Sequence, residues 1–251
     1  MKKTAQLKSL VMAMAVAGST VAALAPATSQ AGASANIGAV TKYYFRGLAQ
    51  TDSAAAQGGL DYDFGDSGFS VGTWESSLSN GGTNQGLEYD LYGGWSGSFS
   101  GLDVGVNLTR YGYTKDFKKD ANAFDSSYLE ASASLGYKFL SLDVATGSHE
   151  GASHKTSGSD YKDQTYMTYA LTATYAGISA TYGVGDKFLG TTDGNGSQNH
   201  NWIDVSYSTE IAKGTDVSIS YISMHKDKNN YGASKGSDES MIVGITKSFD
   251  L

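Results

Sequence analysis

The sequence predicts an all-β protein, a transmembrane antiparallel up-and-down β-barrel of twelve strands. Three observations carry that reading. Apolar and polar residues alternate with a period of two through segment after segment. Connections between segments are alternately long and short, and aromatic residues collect toward segment ends on the apolar face.

The clearest alternation runs from Leu87 to Leu108. Leu87, Tyr89, Leu91, Gly93 and Trp95 share one face, while Glu88, Asp90, Tyr92, Gly94 and Ser96 share the other. After the turn Gly97-Ser98-Phe99-Ser100-Gly101 the pattern resumes with Leu102, Val104, Val106 and Leu108 against Asp103, Gly105 and Asn107. Each run is about ten residues, the length a tilted strand needs to cross a bilayer.

Residues 1–31 read differently. Lys2, Lys3 and Lys8 precede an apolar, Ala-rich stretch, and Ser29-Gln30-Ala31 places small residues where a signal peptidase cuts. The expected organisation is therefore a cleaved signal peptide, 1–31, followed by a barrel, 32–251. Losing three lysines and no acid leaves the mature chain more acidic than the formal charge of −7 of the whole, which argues against nucleic acid as a partner. There is no cysteine, and the only proline, Pro26, leaves with the signal. A chain of strands without proline suits a sheet in which every strand is paired on both sides. No mature stretch has 18 consecutive apolar residues, so helical spans are excluded.

In chain order, the first segment is expected from about Asn36 to Arg46, with Ile37, Ala39, Tyr43 and Phe45 on the lipid face and Lys42, Tyr44 and Arg46 on the other. Leu60, Tyr62 and Phe64 alternate with Asp61 and Asp63 in the second, and Gly65-Asp66-Ser67-Gly68 forms a turn. Phe69 to Ser76 is irregular, since Val71 and Trp74 are apolar on opposite parities; a bulge is expected there. Beyond the central hairpin come Leu129 to Phe139, Leu140 to Val144, Met167 to Tyr175, Ile178 to Val184, Ile203 to Ile211, Val217 to Tyr221 and Met241 to Leu251.

Long polar connections fall near 47–54, 77–85, 114–126, 148–164, 186–201 and 226–238, with short turns between them. That alternation is what outer-membrane barrels show, long loops extracellular and short turns periplasmic. Phe64, Phe69, Trp95, Tyr137, Phe139, Tyr175 and Phe249 would form one aromatic girdle at the short turns. Tyr43, Phe45, Tyr182 and Tyr221 would form another near the long loops.

The stretch Thr41-Lys42-Tyr43-Tyr44-Phe45-Arg46-Gly47-Leu48-Ala49-Gln50-Thr51, then Gln57-Gly58-Gly59-Leu60-Asp61-Tyr62, and the ending Val243-Gly244-Ile245-Thr246-Lys247-Ser248-Phe249 resemble the TorF family, porin-like exported proteins of Gram-negative bacteria. The resemblance implies an outer-membrane barrel with a porin-like role and no assigned solute. The ending also resembles the assembly signal of such barrels, except that Asp250-Leu251 follows the aromatic Phe249. Outer-membrane lipid, the assembly machinery and a small hydrophilic solute or ion are the partners this implies.

With a barrel, the polar parity faces the lumen. Glu88, Asp90, Glu130 and Asp204, with Lys42 and Arg46, would lie toward the long loops; Asp61, Asp63, Asp103, Asp143 and Glu210 would lie toward the short turns. An open lumen so lined favours small cations. Equally, these acids could pair with Lys115, Lys118, Lys119, Lys226 or Lys228 and fill a polar interior. Arg46 is either a constriction residue or, more simply, an arginine bridging to a lumen carboxylate.

Two rival classes remain. A rim enzyme would use His149, His154, His200 or His225, which all map to the long-loop side, yet no motif fixes a geometry and exposed loop histidines are the simpler expectation. Their spacing resembles no metal site, and no cofactor is implied. A structural or adhesive barrel with a closed lumen is the third reading. Asp193-Gly194-Asn195-Gly196-Ser197-Gln198 begins like a calcium loop but lacks the glycine at position six and has Asp204 where the closing bidentate glutamate is expected. Asn107-Leu108-Thr109 and Asn195-Gly196-Ser197 match a glycosylation pattern with little meaning in a bacterial protein.

Overall fold

The computed structural model describes residues 31–79, 85–114, 127–149, 164–188, 199–226 and 237–251. The expected leader lies outside these apart from Ala31, as do His154, Lys115, Lys118, Lys119, Lys228 and the calcium-like 193–198 stretch. Strands β1 (Gly32–Val40), β4 (Ala55–Asp63), β5 (Phe69–Ser79), β6 (Gln85–Phe99), β7 (Leu102–Tyr113), β8 (Tyr128–Tyr137) and β9 (Leu140–His149) form one run of neighbours. The run continues through β10 (Gln164–Tyr175), β11 (Ile178–Asp186), β12 (Asn199–Ala212), β13 (Thr215–Lys226) and β14 (Ser237–Asp250). β1 pairs antiparallel with both β4 and β14, with Ile37 opposite Gly58 on one side and Lys247 on the other. The sheet is thus a closed barrel of twelve antiparallel strands, as the alternation predicts. Closure leaves no strand edge, a requirement for backbone that crosses hydrocarbon.

The remaining pair, β2 (Tyr44–Phe45) and β3 (Leu48–Ala49), is a small separate hairpin inside the connection from β1 to β4. A 3-10 turn at Gly65–Ser67 joins β4 to β5. The other short connections are two-residue turns such as Ser100-Gly101, whose φ values of 54° and 82° match the right-handed twist of the flanking strands.

Alternation sorts the side chains as expected. Leu60, Leu108, Leu171, Ile203, Ile219 and Met241 are exposed on the outer surface, an apolar band suited to lipid. Phe64, Phe69, Tyr137, Phe139, Tyr175 and Phe249 are exposed near the short turns, and Tyr182 and Tyr221 toward the other end. Trp95 donates its indole N–H to the Ser67 carbonyl at 3.1 Å, so the girdle also ties down a turn.

Two expectations fail. β5 pairs continuously with both neighbours and has no bulge; Trp74 is inward and buried, and its apolar parity reflects packing inside the barrel. The register shift falls instead between Glu210 and Ala212. The first strand ends at Val40, not near Arg46, because the chain turns into the lumen. Tyr43 and Phe45, expected in the outer girdle, are each 1% exposed inside it.

Replacing Leu171 with arginine is expected to lower folding stability by about 2–4 kcal/mol, the cost of a charge facing the middle of a bilayer. Urea unfolding in lipid vesicles measures this; an unchanged midpoint would place Leu171 away from lipid.

Candidate functional site

The connection 41–54 is the one feature that a plain barrel does not need. It closes on itself: the Tyr43 N–H donates to Thr51 Oγ1 at 2.8 Å, and the Gln50 N–H donates to the Tyr43 carbonyl at 2.8 Å. Within that loop β2 and β3 pair through Tyr44 opposite Ala49 and Phe45 opposite Leu48, leaving Arg46-Gly47 as the turn. Both turn residues have positive φ, 49° and 86°. For glycine this is free, but for arginine it costs about 1–2 kcal/mol. Something must hold Arg46 there.

Glu130 on β8 does so. The Arg46 guanidinium donates from Nη1 to Oε2 at 2.6 Å and from Nη2 to Oε1 at 2.8 Å, a two-pronged ion pair with both side chains buried. Tyr166 Oη donates to Glu130 Oε2 at 2.7 Å and Tyr111 Oη to Oε1 at 3.3 Å, so the carboxylate has four donors. The guanidinium carbon lies 4.8 Å from the Phe45 ring centre and 5.2 Å from that of Phe188. The backbone is held too: His200 Nε2 donates to the Arg46 carbonyl at 2.9 Å.

The hairpin reaches most of the wall. Tyr43 packs edge-on against Trp74 at 5.4 Å, and Phe45 meets Tyr111 at 5.6 Å and Phe188 at 5.3 Å. The Tyr44 hydroxyl donates to Asp238 on β14 at 3.3 Å. Gly47 lies so close to β12 that a Cβ there would stand 2.6 Å from that of Trp202. His200 stacks between Phe188 and Trp202 at 5.7 and 5.4 Å. The long-loop half of the lumen is therefore an aromatic core, while the other half is lined by half-buried small side chains such as Ser132, Ser134, Thr174, Ser179 and Ser206.

The candidate lumen residues divide accordingly. Glu88, Asp90, Glu130 and Asp204 are buried and inward, and Arg46 pairs with Glu130. Asp61 and Asp143 are inward and half-buried; Asp61 Oδ1 accepts from the Tyr92 hydroxyl at 2.6 Å. Asp63, Asp103 and Glu210 sit at the short-turn rim and hold local structure: Asp63 accepts from the Gly65 N–H at 2.7 Å, Glu210 from the Gly214 N–H at 2.6 Å, and Asp103 from the Ser98 hydroxyl. Lys42 lies half-buried where the chain leaves β1, not on a strand. Asp216 and Asp238 share the inward parity and escaped the sequence reading. Among the described residues Arg46 is the only buried lysine or arginine.

Of the histidines, His200 is buried on a strand rather than exposed in a loop, because its N–H serves the Arg46 backbone; His225 is exposed. His149 lies at the end of β9, and its side chain is outside the described set. Tyr111, Tyr166, Phe188 and Trp202 were also missed. The available signal was aromatic residues on the polar parity, notably Tyr111, Tyr113, Tyr128 and Tyr166, where a hydrated wall has little use for them.

Removing one partner of a buried ion pair costs about 3–5 kcal/mol. Glu130→Gln is therefore expected to speed amide exchange at Gln50 and Tyr43 by orders of magnitude while leaving the mid-strand amides of β12 and β13 protected. Equal protection in the variant and the parent would show that the pair does not hold the hairpin.

Solved structures that superpose on this chain include membrane porins. A structure reported with the mechanism of in-meso crystallization of membrane proteins superposes with a TM-score of 0.54 at 10% identity, over 88% of this chain and 84% of that chain. The KdgM porin gives 0.51 at 9% identity, over 86% of this chain and 99% of its own. The NanC porin gives 0.51 at 8%, over 85% and 98%. At these identities the likeness is one of fold. Comparison with curated proteins finds no match. None of these matches carries the TorF name that the motifs of 41–62 suggest. A family profile described as "Bacterial protein of unknown function (Gcw_chp)" matches residues 24–249, and the chain belongs to that family.

Proposed function

We propose that the protein is a porin-like channel of the bacterial outer membrane, through which small hydrophilic solutes diffuse passively with a preference for cations. The observation that carries this reading is the sign of the inward charge. Glu88, Asp90, Glu130, Asp143, Asp204 and Asp61 face the interior on five strands, and Arg46 is the one buried lysine or arginine among the described residues. A low-dielectric wall around such a lumen focuses the field and raises the local concentration of cations. Asp204 Oδ1 is buried without a hydrogen-bond partner among the described residues.

The shared fold with the KdgM and NanC porins supports the channel reading. So does the resemblance of 41–51 to the TorF family. On this reading the long connections are extracellular, the short turns periplasmic, and the partners are outer-membrane lipid, the assembly machinery and the solute. The segment 41–54 forms the constriction, with Arg46 as its buried positive group.

The same segment favours a second reading, a barrel with a closed lumen and a structural or adhesive role. Phe45, Tyr43 and Tyr44 fill space that an open pore would leave to water. For a rim enzyme the described histidines offer little: His200 is occupied with the Arg46 carbonyl and His225 is exposed.

Purified protein in planar bilayers under a potassium chloride gradient is expected to conduct with a cation-selective reversal potential. The pair Asp143→Asn and Asp204→Asn is expected to reduce that selectivity, and Arg46→Ala to raise single-channel conductance. Anion selectivity would overturn the proposal, and absence of conductance in both the parent and Arg46→Ala would favour the closed barrel.

A further inference from the structure

The wall around Glu130 has the composition of a receptor for a guanidinium ion. A planar carboxylate presents both oxygens in a fork, and two tyrosine hydroxyls fix it from the sides. Phe188 lies beyond the end of β11 and offers an aromatic face 5.2 Å from the guanidinium carbon. Forked carboxylate and aromatic face together suit a flat, weakly hydrated cation better than a spherical ammonium. The barrel supplies all four of these side chains. The hairpin supplies the occupant, Arg46, and a second aromatic face, Phe45, 4.8 Å from the guanidinium carbon.

The occupant is also poorly placed on its own account. Arg46 sits in the left-handed region, where a side chain costs about 1–2 kcal/mol, so the hairpin bends against its preference to deliver it. A second acid, Asp90, lies on β6 opposite Tyr111, which itself donates to Glu130. Asp90 is 2% exposed, and its Oδ1 has no hydrogen-bond partner among the described residues.

We propose that the Glu130 site, with Tyr111, Tyr166, Phe188 and Asp90, binds guanidinium-bearing solutes, and that Arg46 is a tethered competitor which such a solute displaces. A free guanidinium takes the Glu130 fork, Arg46 leaves with its hairpin, and the long-loop half of the lumen opens. This deepens the proposed channel function by naming a solute class, and it rests on that reading only for the step from binding to passage. No bond is made or broken; one ion pair replaces another.

The test uses the mature protein folded in detergent micelles, titrated with millimolar guanidinium chloride against methylammonium chloride at equal ionic strength. Tryptophan fluorescence is the readout, since Trp202 and Trp74 both touch the hairpin. Removing the tethered competitor should lower the apparent Kd, so Arg46→Ala is expected to bind guanidinium about tenfold or more tighter than the parent. Methylammonium should bind more weakly, and Glu130→Gln in the same background should abolish saturation. If Arg46→Ala does not show the heat-modifiable migration of a folded barrel, Arg46→Lys is read in the same way, because an ammonium cannot fill the fork. Guanidinium binding no tighter than methylammonium, or binding insensitive to Glu130→Gln, overturns the proposal. Guanidinium binding as expected with no conductance in bilayers overturns the channel reading and leaves the site standing.

Discussion

The interior of this barrel is organised by the burial of one guanidinium. A lone charge inside protein costs several kcal/mol, and its partner carboxylate costs as much again, so neither Arg46 nor Glu130 is tolerable without the other. Their fork, with Tyr166 and Tyr111 completing the carboxylate, offsets that cost through charge-assisted hydrogen bonds of 2.6 and 2.8 Å. Everything local follows from delivering Arg46 to that point. The turn takes a left-handed arginine, Gly47 passes against Trp202 without a side chain, and His200 is turned inward to satisfy the displaced carbonyl.

Barrel width explains why a segment is needed at all. Eight strands enclose a space that side chains can fill, and sixteen leave an open channel. Twelve fall between, and this protein treats its two ends differently. At the long-loop end the hairpin adds Tyr43, Tyr44 and Phe45 to wall aromatics and makes a dry core. At the short-turn end the wall is serine, threonine and aspartate, which water can reach. A passive pore and a closed barrel differ only in whether the first half can give way, and an ion pair that a competing cation can exchange is a more reversible closure than packing alone.

Much of the fold was legible, because alternation and the long-short rhythm of connections both follow from a strand's period of two and a barrel's two ends. The same period misled at the first strand. Ile37, Ala39, Tyr43 and Phe45 alternate as evenly as any lipid-facing row, yet the last two bury their rings inside. Parity tells which residues share a side and not whether the strand continues, and Arg46-Gly47 as a turn was hidden inside an apparently regular run. Trp74 misled in the opposite sense: an inward aromatic looked like a register error. Parity put Glu88, Asp90, Glu130 and Asp204 on the inward side but passed over Asp216 and Asp238, and Arg46 bridging to a lumen carboxylate was one of two readings held open. Glu130 as its partner was not legible, since nothing in the order of the chain brings residue 46 to residue 130.

The central claim is that the hairpin of 41–54 sits inside the barrel, and the absence of cysteine makes it directly testable. Single cysteines are placed at Phe45, buried in the lumen core, and at Ala49, exposed on the same hairpin, and labelled with a membrane-impermeant thiol reagent on the folded protein. Ala49→Cys should label rapidly and Phe45→Cys slowly, with protection at Phe45→Cys lost when Glu130→Gln is added. Equal, rapid labelling at both positions in the parent background would contradict an inward hairpin.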